Sequence, residues 1–456
     1  KYLSELITNP IYNRLHQDLE SFLKKIPRSD SIIQIRDKIG QGVKDLFVPS
    51  SLFEKLGLRY LGPIDGHDFE LLHKYLPFAK TSPESIVLHL NTQKGRGYDV
   101  AINQPERFHG VGPFDPDTGK GPPPKVNAAS TYQNVFGEHL TRMARRNPDI
   151  VGITAAMPSG TGLNILKNKL SGQFFDVGIA EEHAVLFAAG LACRGKKPVV
   201  AIYSTFLQRA YDPIIHDVCL QNLPVVFCLD RAGLSPNDGP THHGMFDLAY
   251  LRCVPNAVVM QPKDEDEQVD MLHTALHIPQ PVFIRWPRGN AVGIPIKEEP
   301  ATLPLGKAEI LRRGSDIQFW ALGPWVEDAL GLATILEENL GRSIGVVNAR
   351  FVKPMDEELL CRQGKRASLI VTFEDHVLQG GFGSAGLECF NRHQISIAVE
   401  RIGWPDQFID HGSSVPELRM LNGLDEAQLI DRIQAKILAL DKASSNKSAR
   451  LSFPRT

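Results

Sequence analysis

The run Phe174–Asp247 decides how the rest of the chain is read. It opens as FFDVGIAEEHAVLFAAGLA (174–192), continues as KPVVAIYSTFLQRAYDPIIHDV (197–218) and closes as LPVVFCLDRAGLSPNDGPTHHGMFD (223–247). Three short apolar runs each end in a polar turn: GIAEEH, YSTFLQR and LDRAGLSPNDGPTHHG. Strand-length apolar runs alternating with helical stretches predict parallel strands with helical crossovers. Ligands of such sheets gather at the carboxyl ends of the strands. This chain places its carboxylates, arginines and histidines there.

Working outward, the 456 residues are 42% hydrophobic and 22% charged, with a formal net charge of -2. That is an ordinary globular composition. The lack of a long basic block argues against nucleic acid as the main partner. No apolar run reaches bilayer length, so no membrane role is expected. The cysteines at 193, 219, 228, 253, 361 and 389 form no CxxC pair. Most lie in apolar runs, which predicts buried free thiols in a reducing compartment and neither zinc nor disulfides.

Residues 1–48 carry apolar positions at helical spacing and predict two amphipathic helices. A strand is expected over Ser85–Thr92, followed by QKGRGYD. Residues 116–131 are rich in proline and glycine and read as a linker. A helix Tyr132–Arg146 and a strand Ile150–Ala155 open the next unit, which ends near 291–306. A third α/β unit follows, with strands at Asp316–Leu322, Ile344–Asn348 and Ser368–Phe373. Helices are expected at Trp325–Leu336 and from Asp425 to about Leu440, with a polar, frayed tail from Ala443. The domain scheme is therefore residues 1–118, a linker 119–131, a central domain 132–295 and a C-terminal domain 306–445.

Several residues suggest chemistry, each beside a plainer reading. Glu181 opens an apolar helix, where an acid also suits the helix dipole. A carboxyl group in an apolar setting could instead share a proton with a ring nitrogen. Phe206, at the end of a strand-like run, offers a stacking face or simple core packing. Arg231, Asp238, His242 and His243 share one long loop. The two histidines lack a further ligand at metal spacing. Arg285 and Arg288 follow the run VFI and suit a phosphate or carboxylate, although surface arginines are common. Lys94 between glycines can approach a phosphate or mark a solvated turn. His109 either caps a loop or touches substrate.

Taken together, the segments are specific. YLGPIDGHD (60–68), KGRGYD (94–99), FHGVGPFDP (108–116), ITAAMPSGTGL (153–163), the opening stretch, RWPRGNAVG (285–293), VVNARFVKPMDEELL (346–360) and GGFGSA (380–385) stand in order. In them the chain resembles the 1-deoxy-D-xylulose-5-phosphate synthase family of the transketolase superfamily. The resemblance implies three-layer α/β/α domains of the thiamine-diphosphate-binding fold, with a smaller C-terminal α/β domain. It implies thiamine diphosphate and Mg2+ as cofactors, and pyruvate and D-glyceraldehyde 3-phosphate as substrates. The product would be 1-deoxy-D-xylulose 5-phosphate, which feeds isoprenoid, thiamine and pyridoxal synthesis. A homodimer in bacterial cytoplasm or plastid stroma is implied as well.

By the same resemblance, Glu181 bonds the aminopyrimidine ring and Phe206 stacks on it. Tyr203 and Arg209 line the substrate pocket, and Arg231 and Arg288 hold the aldehyde's phosphate. Asp238 and His242 lie near the reacting carbons, Lys94 near the cofactor diphosphate and His109 at the site mouth. No metal ligand is assigned within the sequence. The family's GDG motif, which holds magnesium and the diphosphate, does not occur in it. The first domain is therefore expected to be incomplete and the chain alone weak or inactive, through trimming or a split gene. Pro236-Asn237 replaces the family's usual GA before Asp238, and Glu182 stands where glutamine is common. A second carboxylate there would tend to raise the pKa of one of the pair unless Glu182 faces solvent. Alternatives are a transketolase, a 2-oxoacid dehydrogenase β-type subunit and a non-catalytic paralogue.

Overall fold

The computed structural model describes residues 50–122 and 129–451. The helices expected over 1–48 lie outside the described residues. By its internal contacts the chain divides into two compact units, Lys1–Pro124 and Lys125–Thr456.

In the first unit, strands β1 (Arg59–Asp65) and β2 (Ile86–Asn91) pair in parallel. The helix Phe69–Thr81 connects them, and the Asp68 carboxylate caps it by accepting from the Glu70 and Leu71 amides. After β2, the rings of Tyr98, Phe108 and Phe114 cluster with centroids 5.2 to 6.0 Å apart.

The second unit holds two sheets. Its first strands are β3 (Ile150–Thr154), β4 (Phe174–Asp176), β5 (Lys197–Tyr203), β6 (Val226–Asp230), β7 (Val258–Met260) and β8 (Val282–Arg285). They are followed by β9 (Glu309–Arg312), β10 (Ile317–Ala321), β11 (Ile344–Asn348), β12 (Phe351–Lys353), β13 (Leu369–Val377) and β14 (Ala398–Trp404). The first sheet has the order β12-β7-β8-β6-β5-β3-β4 and the second β14-β13-β10-β11-β9. All pairs are parallel except β12 with β7 and β9 with β11. Every residue of β3, β6 and β10 is buried, as expected of strands covered on both faces.

The helix Tyr132–Arg146 has the expected ends because Thr131 caps it and Asn147 leaves helical geometry. Several expectations change, among them the helix from Trp325, which runs to Leu340. Strand β13 runs four residues beyond Phe373, as far as Val377. The last helix spans Glu426–Leu451 and so passes the end expected near Leu440; the rest of the polar tail lies outside the described residues. Cys193 and Cys253 are exposed, while Cys219, Cys228 and Cys389 are buried. An apolar run on a helix still turns some positions to solvent.

The two sheets meet through Arg285. Its guanidinium is 1% exposed and donates to Asp247 Oδ2 (3.0 Å), Gln261 Oε1 (2.6 Å), Gly244 O (3.2 Å) and Asp375 O (3.0 Å). Asp247 also accepts from Ser204 Oγ at 2.9 Å, and Asp375 from Trp404 Nε1 at 2.6 Å. The ion pair is thus desolvated, with every guanidinium nitrogen hydrogen-bonded, the condition under which a buried pair is tolerated. The expectation that Arg285 offers itself to an anion fails, because it is buried and four of its five N–H donors are already taken.

Candidate active site

Strands β4, β5, β6 and β8 run parallel, so their carboxyl ends lie along one edge of the first sheet. Each end delivers part of the site. Beyond β4, Glu181 begins the helix Glu181–Cys193. It is 2% exposed, whereas Glu182 beside it faces solvent. The adjacent carboxylates therefore do not share one buried environment. A buried acid in a first helical turn is favoured by the dipole, but it still needs a partner.

Arg209 is that partner. It follows β5 and the helical turn Ser204–Leu207. Its Nη1 donates to Glu181 Oε1 at 2.6 Å, and its guanidinium lies over the Phe206 ring, 5.1 Å from the centroid. Half of the Arg209 side chain remains exposed. The Phe206 ring stacks on Tyr203, with centroids 5.8 Å apart, and meets the edge of His242 at 5.2 Å. The Tyr203 hydroxyl occupies the space where a side chain on Gly160 would begin, since a Cβ there would sit 1.7 Å from it.

Beyond β6, Arg231 takes a left-handed backbone conformation (φ +59°), unusual for a residue with a side chain. Its neighbours hold it there. Ala232 N donates to Trp286 O, and Gly233 and Gly244 exchange two 2.7 Å bonds that close the loop between them. A Cβ on Gly244 would lie 2.5 Å from Arg231 O and from Ser204 Oγ, so only glycine fits. Strain held at a loop base is a mark of a working site. The Arg231 guanidinium covers the Tyr203 ring at 3.7 Å.

Beyond β8, Arg288 Nη1 donates to Asp238 Oδ2, and Arg231 Nε lies 3.5 Å from the same oxygen without hydrogen-bond geometry. Burial and the nearby Arg288 lower the Arg231 pKa to about 10, against the pull of Asp238. Two cations thus share one carboxylate, an arrangement that suits an incoming dianion. Burial also lowers the pKa of His242, leaving it a neutral base near pH 7. Its neighbour His243 is buried and accepts from the Ser235 amide at 2.9 Å, which makes it a loop support.

Contacts therefore link Glu181, Arg209, Phe206, Tyr203, Arg231, Asp238 and Arg288 in series, with His242 on the Phe206 edge. Lys94 and His109 are exposed residues of the first unit. Sequence reasoning missed Asp230 and Glu374. Asp230 is fully buried behind Arg231, accepts from Trp286 Nε1 at 2.9 Å, and burial pushes its pKa up to about 7. Glu374 accepts the Phe382 and Gly383 amides at the start of the helix Phe382–Arg392, and burial raises its pKa likewise to about 7. The sequence signal for Asp230 was its place at the last position of an otherwise apolar strand.

The site and sheets define a transketolase-type protein. Family models for "Transketolase, pyrimidine binding domain" and "Transketolase, C-terminal domain" match residues 128–292 and 306–429. A transketolase from Campylobacter jejuni shares the fold at a TM-score of 0.55 with 18% identity, over 84% of this chain and 68% of that one. A "split gene transketolase, inactive beta4 tetramer" aligns at a TM-score of 0.59 with 29% identity, over 67% of this chain and 98% of that one. A model described as "1-deoxy-D-xylulose-5-phosphate synthase" matches residues 1–92. A synthase of that name from Methylacidiphilum infernorum is 49% identical over 98% of this chain and 70% of its own length. One from Acidobacterium capsulatum is 48% identical over 95% and 68%. The chain belongs to the 1-deoxy-D-xylulose-5-phosphate synthase family. No described helix is long and apolar enough to cross a membrane.

Proposed function

We propose that this chain carries the site that joins pyruvate to D-glyceraldehyde 3-phosphate with loss of carbon dioxide. The product is 1-deoxy-D-xylulose 5-phosphate, the first intermediate of the methylerythritol phosphate route to isoprenoids. One observation supports the reading above all: a single guanidinium satisfies the buried Glu181 and the face of Phe206 at once. A planar N–H donor on that ring is what the aminopyrimidine of thiamine diphosphate also offers, so the residues fit the cofactor. When bound, thiamine diphosphate supplies the electron sink.

This chain's residues do the rest. Glu181 holds and returns a proton at a pyrimidine nitrogen, from a setting with little water. Phe206 fixes the plane of the ring. Arg231 and Arg288 take the phosphate of the aldehyde substrate and release Asp238. Asp238 and the neutral His242 are then free to move protons near the reacting carbons, with Tyr203 and Arg209 lining the pocket. Lys94, His109, Mg2+ at the diphosphate and a homodimer complete the proposal on the resemblance. So does the division into domains at 1–118, 132–295 and 306–445.

The experiment is an assay of the full gene product with pyruvate and D-glyceraldehyde 3-phosphate. Ketol transfer from xylulose 5-phosphate in its place would make the protein a transketolase. Glu181→Gln should cut the rate by roughly 10²-fold or more, as loss of a positioned proton-transfer group does. Near-normal turnover of that variant would sink the assignment. Calorimetric titration of residues 1–456 with cofactor and magnesium should show weak binding, since the GDG motif does not occur in the sequence.

A further inference from the structure

A second cluster lies in the C-terminal part of the chain. The helix Glu357–Gly364 packs beside the helix Phe382–Arg392, each presenting one cysteine to the other. Cys361 Sγ and Cys389 Sγ are 3.6 Å apart. His393 caps the second helix, and its amide donates to Cys389 O at 3.1 Å, so helical spacing holds through position 393. Cys389 and His393 therefore share one face, four residues apart. The two sulfurs and one imidazole nitrogen all lie within 4.8 Å of one another.

We propose that Cys361, Cys389 and His393 form a binding site for a thiophilic divalent cation, with Zn2+ as the fitting ion. Two thiolates on a tetrahedral zinc, each at about 2.3 Å, stand about 3.8 Å apart, close to the separation seen. The imidazole is oriented from outside. Glu357, four residues before Cys361, lies with Oε2 3.0 Å from His393 Nε2, and Arg392 Nη1 holds its other oxygen at 2.7 Å. With Nε2–H given to that carboxylate, the lone pair rests on Nδ1. Such carboxylate–histidine pairing is the usual outer support of a zinc ligand. Cys389 is buried and His393 exposed, so the site has a route to solvent and room for a fourth ligand such as water. On binding, both thiols give up their protons to solvent, and the ion ties the two helices together. The expectation of no zinc rests on the missing CxxC. The two cysteines are 28 residues apart, and only the packing of the helices joins them.

The test uses the reduced chain, with Co2+ as a spectroscopic probe. One equivalent should produce thiolate-to-metal absorption with tetrahedral visible bands, displaced by Zn2+. Cys361→Ser and His393→Ala, which spare the buried Cys389, should abolish these bands while circular dichroism stays unchanged. Glu357→Gln should weaken affinity by roughly 10–100-fold. The site is disproved by a reduced chain that shows no thiolate band, or by a band that survives Cys361→Ser. A Cys361–Cys389 disulfide that persists in reductant would disprove it too.

Discussion

Arg285 and Arg288 stand three residues apart in RWPRGN and have opposite fates. Arg285 ends β8 and is consumed by Asp247, Gln261, Gly244 and Asp375. Arg288 shares a single carboxylate, Asp238, with Arg231, and keeps a third of its surface in solvent. A saturated cation is structure, whereas a cation that must share its partner is available for ligand. The residue type, the local sequence and the strand end are common to both, so none of these distinguishes them. The count of committed partners does.

The largest effect should come from breaking the saturated member. Arg285→Met leaves the buried Asp247 side chain short of its partner, which costs about 3–5 kcal/mol. Arg288→Met should change stability by roughly 1 kcal/mol or less, since its pair is part-exposed and screened. Urea unfolding of both variants checks this. Equal losses would erase the contrast between the two arginines.

Asp230 sharpens the contrast from the side of the acids. Its pKa, about 7 in the fold, lies above the ordinary carboxyl value because it is buried. Its contribution to stability is therefore complete below about pH 4 and is lost as pH rises through 7. Asp230→Asn keeps an acceptor for Trp286 Nε1 and removes that loss. The fall in unfolding free energy between pH 5 and pH 8 should become shallower, by at most about 1.4 kcal/mol per pH step of one. Glu374 titrates in the same direction, so part of the fall will remain. An unchanged pH profile would mean that Asp230 is already ionised.

The working member of the arginine pair should show itself in kinetics. Replacing Arg288 by Ala removes charge-assisted bonds worth about 1.5–3 kcal/mol. In the full gene product the KM for the aldehyde phosphate should rise roughly 10–100-fold, with a smaller change for pyruvate. A rise confined to pyruvate would move the phosphate elsewhere.

Much of the fold was legible in sequence. Strands β3, β5 and β6 are mostly apolar and bounded by turns, so the run of apolar residues was enough to find them. Glu181 was visible because it follows a strand-like run and opens the otherwise apolar helix AVLFAAGLA. The partners of an arginine were not legible, since Gln261 reaches Arg285 through the pairing of β7 with β8, and Asp375 only after the sheets meet. Nor was the departure of β12, which leaves the strands around it in sequence to pair with β7 in the other sheet. The end of the last helix was missed because a polar helix carries no apolar period to follow.

Arg209 tests the comparison at its finest. It is neither saturated nor free: one bond joins it to Glu181, one ring face supports it, and half its side chain meets water. If the pyrimidine of the cofactor takes both contacts, Arg209 must first release them, and binding carries that cost. A part-exposed pair of this kind is worth roughly 1 kcal/mol. Arg209→Ala should therefore bind thiamine diphosphate several-fold more tightly in calorimetry without substrate, even while the KM for pyruvate worsens. The same variant should lose stability without cofactor, because Glu181 stays buried with its partner removed. Weaker cofactor binding would show that Arg209 supports the ring instead of yielding to it, and Glu181 would then need another explanation for its burial.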